Sequence, residues 1–227
     1  MKINKNIELI NGDCFEINKS IPSESIDLIL TDPPYGMEFQ SGHRKEKHDK
    51  IANDDNLDWL PDWLKEQYRI LKNNSHAYIF CSWHNIDKFK KCSEDSGFTL
   101  KNILIWYKNN TGMGDLFGDY APQYEFILFL VKGKKNLNGR RDSNVVRCKR
   151  TKNDNHPTEK PIEILQFLIE KSSEKGDLVL DNFYGSGSCA IACHNTHRRF
   201  LGHEIDTKRH ESAIKRLSLL LQQNTLF

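Results

Sequence analysis

The sequence predicts an α/β fold built on a mostly parallel sheet, and three observations carry that prediction. Short apolar runs bounded by turn residues begin near positions 7, 26, 77, 102, 125, 178 and 199, the pattern of strands buried on both faces. Segments of helical periodicity fall between several of them. From Leu178 an apolar run passes into a glycine-rich turn and then a helix-forming segment, which is the nucleotide-side half of an α/β fold.

Taken in order, Ile7 to Ile10 predicts a strand, followed by Asn11-Gly12-Asp13-Cys14. Asp13 either lines the strand's carboxyl edge or caps a helix over Phe15 to Ser20. Ile26 to Gly36 reads IDLILTDPPYG, a buried strand that stops at an acid, two prolines and an aromatic. The prolines fix φ and remove two donors, so the strand ends and the carbonyls around Pro33 and Pro34 are held in set directions. Asp32, those carbonyls and the ring of Tyr35 make a rigid platform that can accept hydrogens from an amino group while stacking on a flat ring. A planar base with an exocyclic amine fits it; a Pro-Pro turn with a capping Asp is the structural alternative.

Met37 to Asp58 is long and polar, contains HRKEKHDK, and is expected to be a substrate-contacting loop rather than a linker. Trp59, Leu60, Trp63, Leu64, Tyr68 and Leu71 recur at helical spacing, with Lys72-Asn73-Asn74 as a stop. Ala77 to Cys81 predicts a strand and Ile86 to Ser96 a helix ending at Gly97. Asn102 to Tyr107 and Glu125 to Val131 predict two strands joined by the Gly- and Asn-rich KNNTGMGDLFGDYAPQ, a hairpin at the sheet edge. Lys132 to Lys152 holds nine Lys or Arg against one acid, Asp142. Such a loop-like tract suits phosphates and offers Lys134, Lys135, Arg140, Arg141, Arg147, Lys149 and Arg150 as DNA or RNA contacts.

After the break at HPTEKP, Ile162, Leu165, Leu168 and Ile169 define a helix face ending near Gly176. Leu178 to Leu180 predicts a strand, Asp181 to Ser188 the glycine turn, Cys189 to His197 a helix, and Arg199 to His203 a last strand ending at Glu204, placed to take both hydroxyls of a ribose. The turn lacks a full G-x-G-x-x-G, with Ala190 at the last position, so a nicotinamide enzyme is the second choice for this turn.

With 227 residues, 37% hydrophobic and 28% charged, the chain predicts a single domain over 1–227. A net charge of +2 gives no global basic field, so nucleic-acid affinity must come from local clusters such as 37–58 and 132–155. Neither MKINKNIELI nor any later stretch suits a signal peptide or a membrane span, which predicts a soluble cytoplasmic protein with no membrane partner. The six cysteines show no CxxC pair. Cys189, Cys193, His194 and His197 lie close enough to suggest zinc, but a helix packed on the sheet uses Cys as a small core residue; no metal is expected.

These stretches together resemble the beta-class amino-group DNA methyltransferases. The resemblance rests on NGDC at 11–14, TDPPYG at 31–36, WYKNNTGMGD at 106–115, HPTEKP at 156–161, DNFYGSGS at 181–188 and GHEID at 202–206. It implies a Rossmann-like sheet of seven strands, mostly parallel with one antiparallel edge strand, and a circularly permuted motif order in which DPPY precedes the cofactor turn. In that sheet the strands ending at Asp32 and Asp181 would be neighbours. It implies S-adenosylmethionine (SAM) as methyl donor and N6 of adenine in DNA as acceptor, in a bacterial or phage-infected cell, by a monomer or homodimer. Asp32, Pro33, Pro34 and Tyr35 would hold the flipped base; Trp106, Phe117 or Tyr120 would cover its other face. Asp181, Phe183, Gly185, Ser186 and Gly187 would hold the methionine part of SAM, Thr158 and Lys160 its carboxylate, Glu204 the ribose, and Asp13 with Cys14 the adenine ring. Asn182 stands where the family has proline, which would loosen the turn. Cytosine N4 methylation, where the family more often has serine at position 32, and a catalytically silent DNA-binding relative are the alternatives.

Overall fold

The computed structural model describes residues 1–36, 56–111, 117–150 and 159–223. Its strands are β1 (Ile7–Asn11), β2 (Ile26–Thr31), β3 (Leu71–Cys81), β4 (Thr99–Tyr107), β5 (Tyr124–Lys132), β6 (Val145–Arg147), β7 (Leu178–Asp181) and β8 (Arg199–Glu204). The helices are α1 (Cys14–Asn18), α2 (Leu60–Ile70), α3 (Ile86–Asp95), α4 (Ile162–Ser172), α5 (Ser188–Asn195) and α6 (Thr207–Gln223). The strands form one sheet in the order β1-β8-β7-β2-β3-β5-β4-β6. Every pairing is parallel except those of β5 with β3 and with β4.

The mixed, mostly parallel sheet agrees with the expected class, and two details differ. The sheet has eight strands rather than seven, because Val145–Arg147 inside the basic tract pairs with β4. The reversed strand is not at the edge: β5 lies between β3 and β4, and β6 forms the border.

Apolar runs suit these strands because both faces are covered. Leu28, Leu30, Tyr78, Phe80, Ile127 and Phe129 pack with α4, α5 and α6 on one side. Ile29, Ala77, Ile79, Leu128 and Leu130 pack with Trp63, Leu64 and Phe89 of α2 and α3 on the other. Cys189 and Cys193 belong to the first core, both fully or nearly buried. Helix α2 runs straight into β3, so the expected stop at Lys72-Asn73-Asn74 becomes a bulge: β2 pairing jumps from Leu71 to His76, and Asn74 takes a φ of 58°.

Parallel strands share a carboxyl edge, and here that edge carries a row of acids. Following the strand order, Asp13 lies just past β1, Glu204 ends β8, Asp181 ends β7 and Asp32 follows β2. Because β5 runs the other way, Glu125, near its start, arrives at the same edge.

Candidate active site

Asp32 leaves β2 into the Pro33-Pro34 turn with both oxygens engaged. Oδ1 accepts from the Tyr35 hydroxyl at 2.5 Å and Oδ2 from Lys160 Nζ at 2.6 Å. Asn85, from the 3₁₀ turn Trp83–Asn85, donates to the Tyr35 carbonyl at 2.7 Å and anchors the far end of the turn. Lys160 is only 10% exposed and also lies 3.2 Å from Glu125, whose other oxygen accepts from Lys108 at 2.6 Å. Burial pushes the Asp32 carboxyl above its ordinary range despite Lys160, and the negative Glu125 adds to the rise. Burial also acts on Glu125, but its two lysines outweigh it and hold that carboxyl below its ordinary range. Removing Lys160 would strand the Asp32 carboxylate beside Glu125, which keeps only Lys108, a cost of about 3–5 kcal/mol.

Strand β7 pairs directly with β2, as the resemblance implied, and the two acids are coupled through Thr31, whose hydroxyl donates to Asp181 Oδ1 at 2.8 Å. The same oxygen accepts from the Phe183 amide at 3.0 Å. Burial pushes the Asp181 carboxyl up to about 7. The following turn is fixed by Glu204, which accepts from the Gly185 amide at 3.0 Å and from the Asp206 amide at 2.9 Å.

The two glycines of this turn do different work. Gly185 (φ 48°) faces open space, where a Cβ would find only the Phe183 carbonyl at 3.9 Å. Gly187 (φ 78°) caps α5, and a Cβ there would sit 3.3 Å from Ala213 Cβ in α6. The backbone is therefore open to close approach over Gly185, while Gly187 serves packing. Two carboxylates stand beside that space, Asp181 and Glu204, a setting that suits a ligand carrying positive charge.

Other expected residues fall as follows. Phe183 packs among Trp59 and Trp63, at 6.0 and 5.6 Å between ring centroids. The Ser186 hydroxyl lies 3.1 Å from that of Ser188, which donates to Glu159 at 3.2 Å; Arg216 of α6 also pairs with Glu159 and so ties the 159–161 segment to the turn. Asp13 caps α1, accepting from the Phe15 amide at 2.9 Å, the helix-cap alternative. Burial pushes the Cys14 thiol up to about 12. Thr158 and most of 37–58 lie outside the described residues. Trp106 is buried, with its indole on the Cys148 carbonyl at 2.9 Å, so it belongs to the core rather than the base; Phe117 and Tyr120 are exposed.

Asn182 corrects the expectation of a loosened turn. At 2% exposure its amide exchanges bonds with Asn18, accepts from Trp63 Nε1 at 3.1 Å and donates to His203 Nδ1 at 2.9 Å. All four hydrogen-bonding positions are used, so the turn is cross-linked to α1, α2 and β8. The burial that closes this network also pushes His203 down to about 4.

The basic tract divides. Lys132 is buried and donates to the Tyr68 and Leu71 carbonyls. Lys134 and Lys135 follow the end of β5, beside Asn74 and His76, and the Arg140 carbonyl accepts from Lys171 at the end of α4; with Arg141 beside them, these four lie at the edge opposite Asp32. Arg147 ends β6 opposite Tyr107, so Arg147, Lys149 and Arg150 emerge at the acid-lined edge. Sequence reasoning also missed Glu125, Lys108 and Asn85; the available signal was an acid opening the otherwise apolar EFILFLV.

A family model described as DNA methylase, for N6 and N4 amino-methyltransferases, matches residues 26–215. The DNA adenine methyltransferase YhdJ of Escherichia coli (strain K12) is 31% identical over 252 residues, covering 93% of this chain and 82% of that protein. The M1.HpyAVI–SAM complex is 29% identical with a TM-score of 0.72, covering 92% and 99%. The PvuII cytosine-N4-specific DNA methyltransferase has a TM-score of 0.78 at 17% identity, covering 94% and 86%, a likeness of fold alone. With the DPPY platform and the glycine turn on adjacent strands, and a matching model spanning most of its length, the chain belongs to the family of N6/N4 DNA methylases.

Proposed function

We propose that this chain transfers a methyl group from SAM to the exocyclic N6 of adenine in DNA. The observation that carries the reading is Asp32, held by Lys160 beside the Pro-Pro turn and one strand away from the Asp181–Ser188 turn. Bound SAM supplies an electrophilic methyl on a positively charged sulfur. Asp181, Glu204 and the open space at Gly185 would hold it, with Asp13 and Cys14 farther along the edge. Lys160 is assigned to Asp32 rather than to the cofactor's carboxylate.

Adenine's amino nitrogen is a poor nucleophile because its lone pair is delocalised into the ring. Asp32 and the Pro33 carbonyl can each accept one amino hydrogen, which draws the nitrogen toward tetrahedral geometry and frees the lone pair. Asp32 Oδ1 has a second lone pair for the amino hydrogen beside the Tyr35 hydroxyl bond, and the Tyr35 ring would lie on one face of the base. The target leaves the helical stack to reach this platform. SAM would supply the methyl with the S–C electron pair remaining on sulfur, and Asp32 would take the nitrogen's surplus proton. Positioning and electrostatics carry the rate. Arg147, Lys149 and Arg150 would take phosphates on this side.

Asp32→Ala should lower methyl transfer from radiolabelled SAM by roughly 10²–10⁴-fold while SAM binding stays near native; an undiminished rate would sink the assignment. Cytosine N4 is the second reading, since the matching family model covers both N6 and N4 enzymes; aspartate rather than serine at position 32 favours adenine. Mass analysis of nucleosides from treated DNA decides, with N6-methyl-2′-deoxyadenosine expected.

A further inference from the structure

Four alternating charges run along the catalytic edge. Lys108 donates to Glu125 Oε1 at 2.6 Å, Lys160 lies 3.2 Å from Glu125 Oε2, and Lys160 donates to Asp32 Oδ2 at 2.6 Å. Glu125 Oε2 is buried and, among the described residues, makes no well-directed hydrogen bond. Its hold on Lys160 is therefore one of charge, in competition with Asp32 for the same ammonium. Lys108 is fixed in turn over the Trp106 ring, at 4.8 Å. Lys160 faces the Phe80 and Tyr35 rings at 5.1 and 5.9 Å, which leaves it little freedom to turn elsewhere.

We propose that Glu125 is a positioning residue for methyl transfer: by sharing Lys160 with Asp32 it sets how strongly Asp32 accepts the amine's proton, and Lys108 sets how much of Glu125's charge is felt. This rests on the proposed adenine reaction and deepens it. A carboxylate wholly neutralised by Lys160 would be a weak proton acceptor, whereas one with no cation beside it would be protonated before the base arrives. A lysine divided between two acids holds Asp32 between those limits. Among the described residues, the other titratable groups facing Asp32 are the Tyr35 hydroxyl on the turn, the Cys81 thiol at the end of β3 and Asp181 on β7.

Two substitutions should act in opposite directions. Glu125→Gln removes a negative charge and leaves Lys160 to Asp32 alone, so Asp32 becomes more acidic. The acid limb of the single-turnover rate–pH profile should move down by on the order of one pH unit, with a plateau about tenfold lower. Lys108→Met removes a positive charge and frees Glu125's field, so the limb should move up. The measurement is single-turnover methyl transfer from radiolabelled SAM to duplex DNA by the full chain across pH, with calorimetric SAM affinity held within about twofold.

Opposed shifts support the proposal; unmoved limbs, or shifts in one direction, overturn it. Should Glu125→Gln fail to fold by circular dichroism, Lys108→Met decides alone, an upward shift supporting and a fixed limb overturning. Absence of any methylation by the native chain overturns the adenine reading itself, whereas native activity with two fixed limbs overturns only the role of Glu125.

Discussion

At Asp181 a buried carboxyl accepts from Thr31 and the Phe183 amide, and it still titrates near 7 because burial outweighs both bonds. A carboxyl raised in the fold above its ordinary 3.8 adds stability below that value and loses it as pH rises through about 7. A cationic ligand reverses the preference, since it favours the carboxylate. SAM affinity should therefore rise between about pH 6 and 8 and level off above, and calorimetry in buffers of different ionisation enthalpy should show proton release near pH 6.5. The acid itself was legible in its place between a short apolar strand and a glycine turn; its partner Thr31 was not, because a hydrogen bond across 150 positions leaves no local pattern. Asn182 illustrates the same limit, a departure from the family's proline whose compensation lies in Trp63 and His203.

Among the elements, the glycine turn makes a paired prediction. Gly187→Ala would force a Cβ into left-handed backbone against α6, so it should cost about 1–3 kcal/mol of stability in thermal unfolding. Gly185→Ala carries similar backbone strain but projects into open space, so SAM affinity should fall more than for Gly187→Ala. Strands β2, β5 and β7 were legible because burial on both faces writes a continuous apolar run. Strand β6 was hidden: its Val145-Val146-Arg147 is three residues within a run of charges, and only pairing to β4 makes it a strand. Helix α6 went unread although Ala213, Leu217 and Leu220 recur at helical spacing, because its polar residues outnumber them.

Across the whole molecule, strand direction separates the basic residues at the Asp32 edge from those at the opposite edge. Replacing Arg147, Lys149 and Arg150 together by Gln should weaken DNA binding and reduce the salt slope of log K by about 0.9 for each phosphate that is no longer neutralised. The same change at Lys134, Lys135, Arg140 and Arg141 should leave that slope nearly unchanged, as read by fluorescence anisotropy across salt. Charge density alone cannot make this division, since the seven residues belong to one basic tract and are separated only by the course of the chain around β6. No helix among the described residues is long and apolar enough to cross a membrane. The reversed course of β5 has one more consequence. Because β4 ends and β5 begins at the catalytic edge, the connection over 108–123 departs from and returns to that edge. Added length there would enlarge the surface over the target base without shifting a single strand, so this is the place where a relative could acquire longer site recognition on an unchanged catalytic frame.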